Sequence, residues 1–111
     1  MNYSIKSRIW IEVDGEILLG EGRVQLLKAI AETGSLSKAA KSIGMSYKKA
    51  WSLIDAVNSR AEKTVIDTAI GGKKGGGSTL TEYGRSLIET YELINEKCWN
   101  FLDQQMEANT L

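Results

Sequence analysis

Lys48, Lys49 and Ser52 are the side chains of this sequence whose types and spacing best suit a chemical task. At roughly 100° per residue along a helix they turn away from the apolar stripe Ala50, Ile54 and Val57. Two ammonium groups and a hydroxyl then share one outer face with Asp55. Ammonium groups on such a face suit phosphate oxygens or guanine edges, and a hydroxyl can donate or accept at either. Tyr47 falls nearer the boundary, where its ring can pack while its hydroxyl reaches a phosphate. Trp51 lies on the flank of the same stripe and is assigned to packing rather than to a base.

A second basic feature is the run Gly71-Gly72-Lys73-Lys74-Gly75-Gly76-Gly77. Glycine-rich loops can cradle phosphates, but the nucleotide-binding form needs a Lys-Ser/Thr pair after its last glycine, leading into a helix. Here Gly76-Gly77-Ser78 has no such lysine, so that reading fails. A hairpin tip presenting Lys73 and Lys74 to a nucleic-acid backbone or minor groove fits the residues better.

Other chemistries find little to work with. The chain has 1 Cys and no His, which removes an internal disulfide, the usual zinc ligands and the commonest general base. Cys98 reads as a small buried apolar residue. No metal site and no enzymatic activity are expected. No apolar run approaches the ~20 residues of a membrane-spanning helix and no signal peptide follows Met1, so a cytoplasmic protein without membrane contact is expected. Formal net charge is zero, yet the charges are partitioned. Residues 35–80 carry 8 positive and 3 negative charges, whereas residues 81–111 carry 2 and 6. A local basic footprint is hidden by the total.

Several elements must position these groups. Ile5 to Val13 alternates apolar and polar residues apart from the Trp10 step, Asp14-Gly15 is a hairpin turn signal, and Glu16 to Leu19 can return. From Glu21 the period becomes helical through Val24, Leu27, Ile30 and Ala31, ending at Thr33-Gly34. Ser35 can cap a short helix from Leu36 to Ile43. Gly44 permits a left-handed turn, and Ser46 can cap a longer helix running to about Lys63. The small pair Ala39-Ala40 lets the two helices cross closely, as a helix-turn-helix over residues 35–62 requires. Val65 to Ile70 reads as a strand and Ser78-Thr79-Leu80 as its brief return. Thr81 caps a last helix from Glu82 to about Met106. On it Leu87, Tyr91, Ile94, Cys98 and Phe101 follow the steps of a coiled-coil seam. Leu87, Ile88 and Tyr91 can serve the domain itself. Ile94, Trp99, Phe101 and Leu102 come too late for so small a domain to cover, and a partner helix is expected.

Taken together, the runs Ser35-Leu36-Ser37-Lys38-Ala39-Ala40, Gly44-Met45-Ser46-Tyr47-Lys48-Lys49-Ala50-Trp51, Gly71 to Gly77 and Leu80-Thr81-Glu82-Tyr83-Gly84 resemble the N-terminal domain of ModE-type molybdate-responsive regulators. That domain is similar in turn to the LysR-type winged helix. The likeness covers roughly residues 20–95. It implies DNA binding through the third helix and a glycine-rich wing, and dimerisation through the first and last helices. In such proteins the recognition helix lies in the major groove.

The expectation is therefore one mainly α domain over residues 1–111 with a small β component. Its parts are an N-terminal β-hairpin (1–19), a three-helix core (20–63), a wing (64–80) and a long C-terminal dimerisation helix (81–106). The set assigned to double-stranded DNA is Ser35, Ser37, Ser46, Tyr47, Lys48, Lys49, Ser52, Lys73, Lys74, Gly75, Gly76 and Thr79. The set assigned to a homodimer interface is Leu87, Tyr91, Ile94, Cys98, Trp99, Phe101 and Leu102. Family members continue into molybdate-binding domains for which this sequence has no residues left, so no cofactor is expected. A stand-alone DNA-binding form, a separate effector-sensing protein and an unrelated signal all remain open. A winged helix that docks a protein partner instead of DNA is the alternative function.

Overall fold

Strand β1 (Trp10–Val13) and strand β2 (Glu16–Gly20) pair antiparallel in the computed structural model, which describes residues 1–68 and 77–111. Asp14 (φ 51°) and Gly15 (φ 79°) make the tight turn between them, of the primed kind that matches strand twist. The register skips between Ile11 and Glu12, so Leu18 has no partner across the ladder. That bulge lets the consecutive Leu18 and Leu19 both turn inward, which strict alternation would forbid. The ladder begins at Trp10 rather than at Ile5. Residues 5–9 instead run beside the last helix, where the Ile9 carbonyl accepts from the Tyr91 hydroxyl at 3.0 Å. Burial, with Glu21 adding to it, pushes the Tyr91 phenol above its ordinary value. It stays neutral and able to donate.

Helices α1 (Glu21–Thr33), α2 (Leu36–Ser42) and α3 (Tyr47–Arg60) follow. Two serines set the starts of α2 and α3. Ser35 Oγ accepts from the Lys38 amide and Ser46 Oγ from the Lys49 amide, each at 3.1 Å. These caps satisfy amides that a helix start leaves open. Between α2 and α3 the chain turns at Gly44 with φ 71°, a left-handed conformation costing ~1 kcal/mol or more with a side chain. Ala39, Ala40 and Ala50 are at most 1 % exposed where the helices meet. Their missing bulk is what allows the close crossing. Leu26, Leu27 and Ile30 of α1, Val57 of α3 and Leu19 of β2 complete one apolar core.

Strands β3 (Ile66–Thr68) and β4 (Ser78–Leu80) form the base of a second hairpin. Ala69 and Ile70 of the expected strand, and Gly71 to Gly76, lie outside the described residues. Helix α4 (Glu82–Ala108) closes the chain. Its start is tied three ways. Thr81 Oγ1 accepts from the Gly84 amide at 3.0 Å and donates to the Thr64 carbonyl at 2.7 Å, while the Thr81 amide donates to the Val65 carbonyl. A Cβ on Gly84 would stand 2.7 Å from that same carbonyl and 2.6 Å from Leu80. Only a glycine permits the approach. The buried residues of α4, Gly84, Ile88 and Tyr91, all fall in its first three turns. At ~1.5 Å per residue the helix is about 40 Å long, which accounts for the molecule's 61 Å longest dimension against 30 and 22 Å for the others.

Candidate nucleic-acid interface

Three elements converge around the exposed face of α3. Lys48, Ser52 and Asp55 stand outermost on that helix and are exposed, opposite the buried Ala50, Ile54 and Val57. Ser35 and Ser37 at the start of α2 and Thr68, Gly77 and Ser78 at the base of the β3–β4 hairpin border a cleft beside it. Tyr47, Trp51, Asp55 and Asn58 supply its α3 wall. Lys49 sits on the other flank, with Leu53, Trp10 and Ile17 around an apolar depression beside the N-terminal hairpin. The two lysines thus straddle the helix.

The hairpin base is anchored to this surface from two sides. Asn58 Oδ1 accepts from the Val65 amide at 2.8 Å and the Ile66 amide at 3.1 Å, and its Nδ2 donates to the Ile66 carbonyl at 3.0 Å. On the opposite strand the Ser78 amide donates to the Gly34 carbonyl at 3.0 Å. The first bonds fix β3 to α3 and the second fixes β4 to the α1–α2 turn. Among the described residues the ion pairs are Arg8–Glu21, Lys28–Glu92 and Arg60–Glu16. Lys38, Lys41, Lys48 and Lys49 enter none of them, so their charge is presented outward from α2 and α3.

The model for bacterial regulatory helix-turn-helix proteins of the lysR family matches residues 22–85, more than half of the chain. The chain belongs to this family. Its fold is the expected winged helix-turn-helix, with α2 and α3 as the motif and β3–β4 as the base of the wing. The match begins one residue inside α1 and ends in the first turn of α4.

Curated relatives point the same way. A DNA-binding transcriptional dual regulator ModE of Escherichia coli is 44% identical over 94 residues, covering 80% of this chain and 36% of its own length. A molybdenum transport protein ModE of Azotobacter vinelandii is 36% identical over 101 residues, covering 91% and 37% respectively. A molybdenum-pterin-binding protein MopB of Rhodobacter capsulatus is 47% identical over 76 residues, covering 68% and 28%. The chain thus spans little more than a third of the length of the first two.

Within this helix-turn-helix the assigned residues divide by position. Ser37, Ser46, Tyr47, Lys48, Lys49, Ser52 and Thr79 are exposed, and Ser35 is partly so. Ser35 and Ser46 spend an acceptor on their caps and keep the O–H to donate. Lys73, Lys74, Gly75 and Gly76 lie outside the described residues.

Trp51 requires a correction. It is 54 % exposed, because the flank it occupies borders the cleft toward the wing base, and among the described residues no neighbour fills that space. Its helical angle was legible; the empty side was not. Asn58 and Arg60 were missed altogether. Arg60 donates to the Ile17 carbonyl at 2.8 Å and pairs with Glu16, tying the N-terminal hairpin to the end of α3.

The dimer set is also redrawn. Tyr91 is 4 % exposed, belongs to the core and is not available to a partner. Leu87 packs against that core. Cys98 and Trp99 are half-buried under residues of the same chain: Ser7 Oγ lies 3.5 Å from Cys98 Sγ, and Lys6 Nζ lies 4.9 Å from the centre of the Trp99 ring. Open apolar surface on α4 is concentrated in Leu93, Ile94 and Phe101, at 52, 48 and 57 %, with Leu102 partly covered. Among the described residues no helix is long and apolar enough to cross a membrane, and no group of candidate metal ligands occurs.

Proposed function

We propose that the chain binds duplex DNA sequence-specifically and regulates transcription, with α3 in the major groove and the glycine-rich wing on the backbone or minor groove. The observation that carries this reading is the shared orientation of α3 and the wing base. Asn58 holds β3 beside the helix whose outer face presents Lys48 and Ser52. A helix in the major groove then brings the wing to the adjacent backbone. Selection from a random duplex pool with the purified protein tests it. Enriched sequences and binding that falls steeply with salt are expected. Absence of both would favour a protein partner for the winged helix.

The same reading makes the protein a homodimer. Leu93, Ile94 and Phe101 stand open on α4 beyond Tyr91, the last residue of that helix buried in the protomer. Pairing two such helices covers the patch and gives the two-fold symmetry that half-site repeats mirror. Sedimentation of wild type against Phe101→Glu checks the assignment. No catalytic role and no cofactor are assigned to residues 1–111. Molybdenum stands in the names of two relatives. Here we place the controlling signal in a sensing unit outside this winged helix, on a separate protein or elsewhere. Titration calorimetry with molybdate should then show no binding by these residues.

A further inference from the structure

Trp51 and Tyr47 stand one helical turn apart on α3, 54 and 57 % exposed, and with Lys48 they line a shallow depression on that helix. Two large aromatic rings held open to water are costly unless something covers them. The charge around the pair indicates what does. Lys48 and Lys49 are adjacent in sequence and form no ion pair among the described residues. Lys38 and Lys41 of α2 are likewise outside those ion pairs, and among the described residues Asp55 is the one carboxylate on the cleft wall. Helix α4 by contrast is net acidic, with Glu89 and Glu96 exposed and Glu92 paired with Lys28. A pair of rings with the Lys48 ammonium at its edge, on a helix of net positive charge, suits a polyanion whose interior offers apolar contacts. Duplex DNA is such a partner, and its major groove displays one exocyclic apolar group, the C5-methyl of thymine.

We propose that Trp51, supported by Tyr47, is a specificity-determining residue that reads thymine C5-methyl groups in the major groove. The inference rests on the DNA-binding reading above and deepens it. Tyr47 lies in the first turn of α3 and Trp51 in the second, the part of a recognition helix that meets base edges. Lys48 and Ser52, each beside one of the rings in sequence, supply the polar contacts that hold the rings in register. A wedge between stacked bases is the other common use of large apolar side chains on DNA. It operates from the minor groove and does not suit a helix presented to the major one.

The test uses the duplex most enriched from a random pool by the intact protein, and the same duplex with each thymine replaced in turn by uracil, which removes only the methyl group. Wild type should lose about fourfold in affinity at one or two positions per half-site, the worth of one buried methyl converted at RT. Trp51→Ala should bind more weakly yet equally well to both duplexes, and Trp51→Phe should restore part of the discrimination. Because Trp51 is exposed, both variants should melt with the wild type, which circular dichroism checks. Equal thymine preference in wild type and Trp51→Ala would overturn the proposal while leaving DNA binding intact. So would a wild type indifferent to uracil at every position. Failure of wild type to enrich any sequence would overturn the DNA-binding reading and this one with it.

Discussion

Helices α3 and α4 are built by the same rules and leave opposite surfaces. Each begins at a hydroxyl cap, each is amphipathic, and each exposes large apolar side chains. Across Tyr47–Arg60 α3 carries 3 positive charges and 1 negative, with Lys48 and Asp55 both beside the Tyr47 and Trp51 rings. Across Glu82–Ala108 α4 carries 2 positive charges and 6 negative, with Lys97 standing among the acids beside Leu93 and Ile94 and Glu92 paired with Lys28. An exposed apolar patch marks a surface that a partner can cover, and the net charge of its helix bears on which kind. Net positive charge directs the first patch toward a polyanion. Net negative charge directs the second away from DNA; its proposed cover, a second copy of the same helix, would be held by apolar contact against that charge.

The comparison can be broken in several places. Gly84→Val removes the joint on which α4 is seated, because its side chain would collide with the Val65 carbonyl and with Leu80. A loss of about 3 kcal/mol in chemical denaturation is expected, with α3 and α4 failing together. Phe101→Glu tests the α4 patch alone: association should weaken by about 2 kcal/mol in sedimentation equilibrium, while the protomer's own melting is unchanged. Asn58→Ala leaves the Val65 and Ile66 amides without their acceptor, costing about 2 kcal/mol of stability. Its DNA affinity should fall further than that of an equally destabilised core variant, since the wing base loses its tie to α3.

Lys48→Ala combined with Lys49→Ala addresses the basic face of α3, Lys48 beside the rings and Lys49 on the other flank. Binding should drop about tenfold at moderate salt, and the slope of log affinity against log salt should fall by about 1.8. Neutralising acids on α4 should leave that slope unchanged. Smallest is Tyr91→Phe, which removes the bond to the Ile9 carbonyl for about 1 kcal/mol. Because the folded phenol titrates above its ordinary value, its contribution is complete below the unfolded value and declines as pH rises through the folded one. Alkaline denaturation of wild type should therefore show a component missing from the variant.

Local signals were legible in the sequence wherever one residue type answers one backbone requirement. Asp14-Gly15, Ser35, Gly44, Ser46 and Thr81 each mark a turn or a cap, and the elements they bound fall close to where the periodicity puts them. Long-range facts were hidden. Nothing in the period-two pattern of Ile5 to Val13 tells that residues 5–9 leave the ladder to cover Cys98 and Trp99. Nor could periodicity separate Tyr91 from Ile94, since both lie on one seam and differ only in whether the body of the protein reaches them. Trp51 shows the same limit from the other side: its angle on α3 was right, but the exposure depended on a cleft made by α2 and the wing base. Asn58 gave no signal, because an asparagine that staples a strand is indistinguishable in sequence from one on a solvated helix end.

Thr81 has a consequence for how two protomers would span a binding site. One hydroxyl caps α4 and bonds the Thr64 carbonyl, and Thr81 itself follows directly from β4 of the strand pair that Asn58 ties to α3. No slack lies between the long helix and the reading helix. In a symmetric pair joined through α4, the distance between the two α3 helices is then the dimension of a stiff frame. Such a frame would tolerate a change in base sequence better than the insertion of a few base pairs between half-sites, which rotates one of them around the duplex and out of reach.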